Sequence, residues 1–178
     1  TPVTLPSTMY GVCTWVHNGR VYCFGGRSFD LPSNQLLCYD PSNNTWQQIT
    51  QMGDIPSQRD FSEAAVLDDA VYLFGGRANT YVNDLFLLEM GSMTWKKIHG
   101  KEESGNVPRK SYYQHSFTLV SRSVAVYFGG YYDFQSGIDD CWLLNLEKVH
   151  EEKCPSSIWT RVPNQFPRFF HATVLDLL

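Results

Sequence analysis

Short apolar runs recur along the chain between clusters of Asp, Asn, Gly and Ser, with "VYCFGG" ending at Gly26, "VYLFGG" at Gly76 and "AVYFGG" at Gly130. They are rich in Val, Tyr, Phe and Leu and bounded by turn formers, which is the pattern of strands. In the middle unit four strands are predicted, "SEAAVL", "AVYLFGG", "NDLFLLE" and "TWKKI". "LDDA" and "MGSMT" supply its hairpin turns, and "VHNGRV" is the matching turn of the first unit. No window of useful length carries a helical period, so the fold class is all-β.

The runs repeat as whole units. The glycine pairs are 50 and 54 residues apart. Each is followed by an apolar run, "NQLLCYDP", "NDLFLLEM" or "DCWLLNLE", and then by a tryptophan in "TWQQI", "TWKKI" or "IWTRV". Repeated four-stranded sheets of about 50 residues are the signature of propeller blades, each covering the face of its neighbour. The predicted units are residues 1–56, 57–107 and 108–165, with 166–178 as the first strand of a fourth, because "PRFFHATVLDLL" is similar to "PRKSYYQHSFTLV". Trp46 and Trp95 each stand seven residues after Tyr39 and Leu88, whereas Trp159 follows Leu144 by 15, so an insertion near 147–156 lengthens the outer hairpin of the third unit. Three antiparallel blades and one strand make a partial propeller. Its open faces predict self-association, either as a fragment of a ring or as a protomer completed by a second copy.

Double glycine, then a Tyr-type position, then tryptophan is the pattern of kelch repeats, which the chain resembles in three successive copies over nearly its whole length. The resemblance implies a ring of six or seven blades, with a peptide pocket lined by the loops after each second strand and before each first strand. More narrowly, "RDFSEAAVLDDAVYLFGGRAN" and "FGGRANTYVNDL" are similar to the kelch domain-containing substrate receptors of cullin-RING ubiquitin ligases, some of which capture C-terminal degrons. That likeness implies that Arg77, directly after the glycines, helps hold a degron carboxylate. A further receptor arginine falls near Tyr81 or Val82, where this sequence has none, and the sequence shows no adaptor-binding helical box.

The loops named by this organisation carry the candidate contacts. After the glycines come Arg27, then Arg77 with Asn79, then Tyr131 with Tyr132; before the first strands come Arg59 in "PSQRDF", Arg109 in "VPRKSYY" and Arg168 in "FPRFFH". Guanidinium forks bind carboxylates bidentately and tyrosine supplies a flat wall with a polar tip. The expected ligand is therefore a protein or peptide that is acidic or ends in a free carboxylate. A competing use for each arginine is an ion pair with a nearby Asp30, Asp60 or Asp84 that only braces a loop. The glycine pairs and Trp46, Trp95 and Trp159 are assigned to structure.

Composition narrows the classes. The 14 Lys and Arg against 18 Asp and Glu give a net charge of -4, which argues against a nucleic-acid or anionic-membrane partner. No apolar run reaches the roughly 18 residues of a membrane helix, and "TPVTLPSTMYG" lacks the pattern of a signal peptide. Five cysteines without CxxC spacing predict reduced thiols and a cytoplasmic or nuclear location, and the sequon at Asn43 is expected to go unused. The histidines His17, His99, His115, His150 and His171 are scattered without metal-ligand spacing, and His115 and His171 occupy equivalent first-strand positions where a buried imidazole satisfies backbone. The acidic doublets Asp68-Asp69, Glu102-Glu103, Asp139-Asp140 and Glu151-Glu152 fall in turns or loops. No cofactor, metal or enzymatic activity is expected, and a kelch-type oxidase or isomerase is the least favoured reading. The rival from another class is a structural scaffold that acts through its open blade faces.

Overall fold

Apolar runs bounded by the Asn18-Gly19 and Pro41-Ser42-Asn43-Asn44 turns build the first sheet from β1 (Tyr10–His17), β2 (Arg20–Ser28), the short β3 (Leu31–Pro32), β4 (Leu36–Asp40) and β5 (Thr45–Ile49). These strands run in the order β1-β2-β4-β5, with β3 paired to the far end of β2. The computed structural model describes residues 8–29, 31–98, 107–108, 113–133, 136–137, 141–150 and 158–163. The second sheet comprises β6 (Met52–Gly53), β7 (Glu63–Leu67), β8 (Ala70–Phe74), β9 (Leu85–Glu89) and β10 (Thr94–Ile98), in the order β6-β10-β9-β8-β7. The third comprises β11 (Tyr113–Ser121), β12 (Val124–Asp133), β13 (Ser136–Gly137), β14 (Cys141–Asn145) and β15 (Trp159–Val162). Apart from the β6 link, every pairing within these sheets is antiparallel. The four strands predicted for the middle unit are β7 to β10 to within two residues at each end.

The central strands of the middle sheet are apolar at nearly every position because both of their faces are covered. Val71, Leu73, Phe86, Leu88 and Trp95 join Trp15, Phe24 and Leu36 of the first sheet in one core. Tyr72, Phe74, Leu85 and Leu87, which alternate with them, join Phe117, Tyr127 and Trp159 of the third sheet in another. A strand buried on one face would alternate apolar and polar; one sandwiched between blades cannot. The tryptophans stitch successive blades together. Trp95 lies 5.1 Å from the Phe24 ring of the blade before it, and Trp159 lies 5.1 Å from Phe74 in the same way. Trp95 also donates its indole N–H to Gln51 Oε1 at 2.8 Å, in the linker between the first and second blades.

Register explains how the third blade absorbs its insertion. Trp46 pairs with Tyr39, Trp95 with Leu88 and Trp159 with Leu144, so the extra residues lie wholly between β14 and β15. One turn of helix, α1 (Leu146–Val149), begins that excursion, capped by Asn145 Oδ1 accepting from Lys148 N. Its four residues are shorter than any period the sequence pattern could reveal. The linker between the first two blades also departs from a simple division at residue 56. Met52 and Gly53 pair in parallel with Thr94 and Trp95, so this stretch extends the outer edge of the second sheet.

Passing from one blade to the next requires a close backbone crossing. The carbonyl of Arg59 accepts from Gly26 N at 2.9 Å, and a Cβ on Gly25, whose φ is +69°, would stand 2.5 Å from that same carbonyl. Only glycine meets both the left-handed backbone and the missing space. Gly25→Val is therefore expected to prevent native docking of the first two blades. Trp95→Ala, which empties a site 1% exposed, should cost about 3–5 kcal/mol. Urea unfolding followed by tryptophan fluorescence checks both; a Trp95→Ala midpoint equal to that of the parent chain would contradict the inter-blade role.

Candidate functional site

The crossing that needs the glycines also sets where Arg59 and Asp60 go. Adjacent residues in extended chain point to opposite sides, and these two do. Asp60 turns toward the loops after the second strands, where it is fully buried and receives both arginines found there. Arg27 Nε donates to Asp60 Oδ2 at 2.6 Å, while Arg77 forks onto the carboxylate with Nε on Oδ1 at 3.0 Å and Nη2 on Oδ2 at 2.6 Å. Reciprocal backbone bonds between Asp60 and Arg77, at 3.0 and 2.8 Å, fix the pair. Arg27 and Arg77, from the post-glycine loops of neighbouring blades, thus meet on one carboxylate.

Arg59 turns the other way and departs from its expected place among the ligand contacts. It is 1% exposed. Its guanidinium forks onto Asp84 at 2.6 and 3.0 Å and donates to the Gly75 carbonyl, the Ser57 carbonyl and Ser57 Oγ, over the face of Phe86. With all of its donors satisfied inside the wall, Arg59 braces the inter-blade loop. Asn79 is exposed in the loop after β8. Tyr131 and Tyr132 lie in β12 after its glycines, and Tyr131 pairs with Gly137 as Arg27 pairs with Pro32. Arg109 and Arg168 lie outside the described residues, as does His171.

The electrostatics of the arginine pair follow from burial and hydrogen bonding. Burial pushes the Asp60 carboxyl up, but the hydrogen bonds and charges of Arg77 and Arg27 outweigh it, and the group titrates below the ordinary carboxylate range. The hydrogen bond to Asp60 raises the pKa of Arg77 against the opposing effect of burial, so its charge is permanent. The Arg77 guanidinium also lies 5.5 Å above the Phe61 ring, within cation–π range. Phe61 meets Tyr10 at 6.1 Å, and the Arg77 side chain remains 30% exposed. The arrangement is a fixed cation, open on one edge and flanked by aromatic rings, which suits an anionic group attached to an apolar body. Tyr10 and Phe61 are contributors that the loop series did not name. Tyr10 pairs with Arg27, Asp60 with Arg77 and Tyr113 with Tyr131, so aligning the position opposite each post-glycine residue finds Tyr10 directly and Phe61 as the residue after Asp60.

Elsewhere the polar groups brace blades. Across the hairpin-turn end, His17 meets Asp69 at 2.8 Å and Arg122 meets Asp68, so this acidic doublet links three blades. His115 is buried edge-on to Phe74, 5.9 Å away. Glu63 has its carboxyl pushed up to about 7 by desolvation, although solvent still reaches the residue and tempers that effect. Its neighbour Cys13 is pushed well above the usual thiol range, chiefly by burial, and at neutral pH stays a protonated, weak nucleophile. Among the described residues no group of three His, Cys, Asp or Glu side chains is placed to hold a metal ion, and no helix is long and apolar enough to cross a membrane.

Comparison with known proteins agrees with this architecture. Residues 1–127 match the family described as the KLHDC2/KLHL20/DRC7 Kelch-repeats domain. The chain is 32% identical to Kelch domain-containing protein 3 of Bos taurus over 130 residues, which are 71% of this chain and 33% of that protein. It is 25% identical to Kelch domain-containing protein 1 of Mus musculus over 188 residues, 90% of this chain and 44% of that one. An 80-residue stretch is 42% identical to the leucine-zipper-like transcriptional regulator 1 homolog of Drosophila melanogaster, covering 43% of this chain and 8% of that protein. The chain therefore spans less than half the length of these relatives.

Removing the Asp60 carboxylate leaves two guanidinium groups facing each other in a partly buried seam. Asp60→Asn is expected to cost about 3–5 kcal/mol at neutral pH. Because the native carboxyl titrates below its ordinary value of 3.8, its contribution is complete above that pH and is lost as pH falls through the lowered native value. Urea midpoints measured from pH 7 down to 3 should fall in the parent chain, with that component missing in Asp60→Asn; parallel curves would contradict the assignment.

Proposed function

Because the chain belongs to the kelch-repeat family of β-propeller proteins, we propose that it is a protein-interaction module whose site at the seam of the first two blades binds a peptide carboxylate. The observation that carries this reading is the exposed edge of Arg77, held in place by Asp60 and backed by Phe61. A preorganised guanidinium loses little freedom on binding, and its second edge is a ready fork for a carboxylate. The finer reading is capture of an acidic or C-terminal degron as the substrate receptor of a ubiquitin ligase. It is supported by the likeness of the stretch around Arg77 to such receptors. A reducing cytoplasmic or nuclear setting accords with the free thiols of Cys13, Cys23, Cys38 and Cys141.

Arg77→Ala is expected to weaken binding of a carboxylate-terminated peptide by roughly 10- to 100-fold, the worth of a charge-assisted hydrogen bond or two, with circular dichroism unchanged. Arg59→Ala should instead lower thermal stability, since it strips the wall of Asp84's partner. Unchanged peptide affinity in Arg77→Ala would overturn the site.

A second reading, assembly through open blade faces, is favoured by the first blade. Trp46 is partly exposed where Trp95 and Trp159 are 1% and 4% exposed, and it lines an apolar hollow of about 170 Å3 with Val12 and Leu37. On this reading the face seats a second copy of the chain, and sedimentation shows concentration-dependent association that Trp46→Ser abolishes. A monodisperse monomer throughout would contradict it.

A further inference from the structure

Tyr10 pairs with Arg27 and Asp60 pairs with Arg77, so the next residues, Gly11 and Phe61, are structurally equivalent. Both have left-handed backbone, with φ of +63° and +57°. Glycine adopts that conformation freely; a bulky aromatic residue there is a true outlier. The bond from Phe61 N to the Gly11 carbonyl, at 2.7 Å, uses no side chain, so glycine at position 61 would make it equally. Strain of this kind persists where surrounding structure enforces it and gathers at functional positions.

The Phe61 ring has a definite place. It lies 5.5 Å beneath the Arg77 guanidinium and 6.1 Å from Tyr10. Tyr10 is 46% exposed, and its hydroxyl reaches toward the carbonyl of Phe29, a residue 80% exposed at the tip of the β2-β3 hairpin. An exposed aromatic patch abutting a fixed cation is the mark of an interaction surface.

We propose that Phe61 and Tyr10 form a side-chain subsite beside Arg77, selecting an apolar or aromatic side chain on the very residue that bears the ligand's carboxylate. The inference rests on the carboxylate-peptide reading above. A terminal residue whose carboxylate meets the outer edge of Arg77 has its side chain beside the Phe61 ring on which that guanidinium lies and the Tyr10 ring next to it. Cation and shelf are adjacent, so one residue engages both, and a terminal serine or glycine engages only the first.

The test uses fluorescently labelled peptides of one sequence ending in Phe, Leu or Ser, each as free acid and as amide, with affinity for the full chain read by anisotropy. Free acids ending in Phe or Leu are expected to bind about 10-fold more tightly than the one ending in Ser. Phe61→Gly, which keeps the backbone conformation that Gly11 already shows, should bring that ratio close to one. Tyr10→Ser, at a half-exposed position, makes the same measurement if Phe61→Gly fails to fold. Acid preferred over amide, with a Phe-to-Ser ratio that is near one in the parent chain or unaltered in the variants, overturns the subsite and leaves the carboxylate reading intact. Equal binding of acids and amides by the parent chain overturns both.

Discussion

The backbone of the second blade crosses the first at Gly25 and Gly26, with the Arg59 carbonyl hydrogen-bonded to Gly26 N at 2.9 Å and Arg59 N bonded to the Ser33 carbonyl at 2.9 Å. Those two bonds anchor one residue of the incoming chain from both of its polar backbone atoms. Once Arg59 is pinned, strand alternation leaves its side chain and that of Asp60 no choice but opposite directions. One enters the wall and meets Asp84; the other enters the seam and meets two arginines. Scaffold and site are thus consequences of a single approach that any Cβ at Gly25 would block.

The seam itself is a three-charge arrangement with unequal solvent access. Asp60 is fully buried, Arg27 is 15% exposed and Arg77 is 30% exposed. A buried carboxylate with one guanidinium would recover little beyond its own desolvation. With two it is fully satisfied, and the more exposed arginine is held rigid without losing its outward edge. That is how a site is preorganised: the internal anion orients the cation through one edge and leaves the other for a ligand.

The strands, the repeat and the passage of the insertion between β14 and β15 were legible in the sequence because each is written redundantly. Apolar runs buried on two faces, turn formers at their ends and a tryptophan at fixed register recur three times. The arginines were legible as positions but ambiguous in role, because Arg59 and Arg77 are the same residue type, each in a loop flanking a blade strand and each within reach of an aspartate. What separates them is the direction of one side chain at a crossing, set by a hydrogen bond between residues 33 apart in sequence. Asp60 appeared among the braces for the same reason, and it braces Arg77 and Arg27 together. Tyr10 and Phe61 stayed hidden because nothing in their local pattern distinguishes them from strand or linker residues; their meaning lies in which residue stands across the ladder.

A site made at a seam couples recognition to blade docking. Arg27 belongs to the first sheet and Arg77 to the loop that follows β8 of the second, while Asp60 comes from the linker between the two sheets. A ligand anion that adds to this cluster binds the docked arrangement and not the separated blades, so it must stabilise their docking by mass action. The chain's overall charge of -4 gives little long-range attraction for an acidic partner. Affinity for such a partner is therefore decided within a Debye length of Arg77, about 8–10 Å at physiological salt. Within that distance Asp60 occupies the inner edge of the guanidinium and the Phe61 ring lies 5.5 Å away, so on the carboxylate-peptide reading discrimination among anionic partners falls to the apolar groups they carry and not to their charge alone.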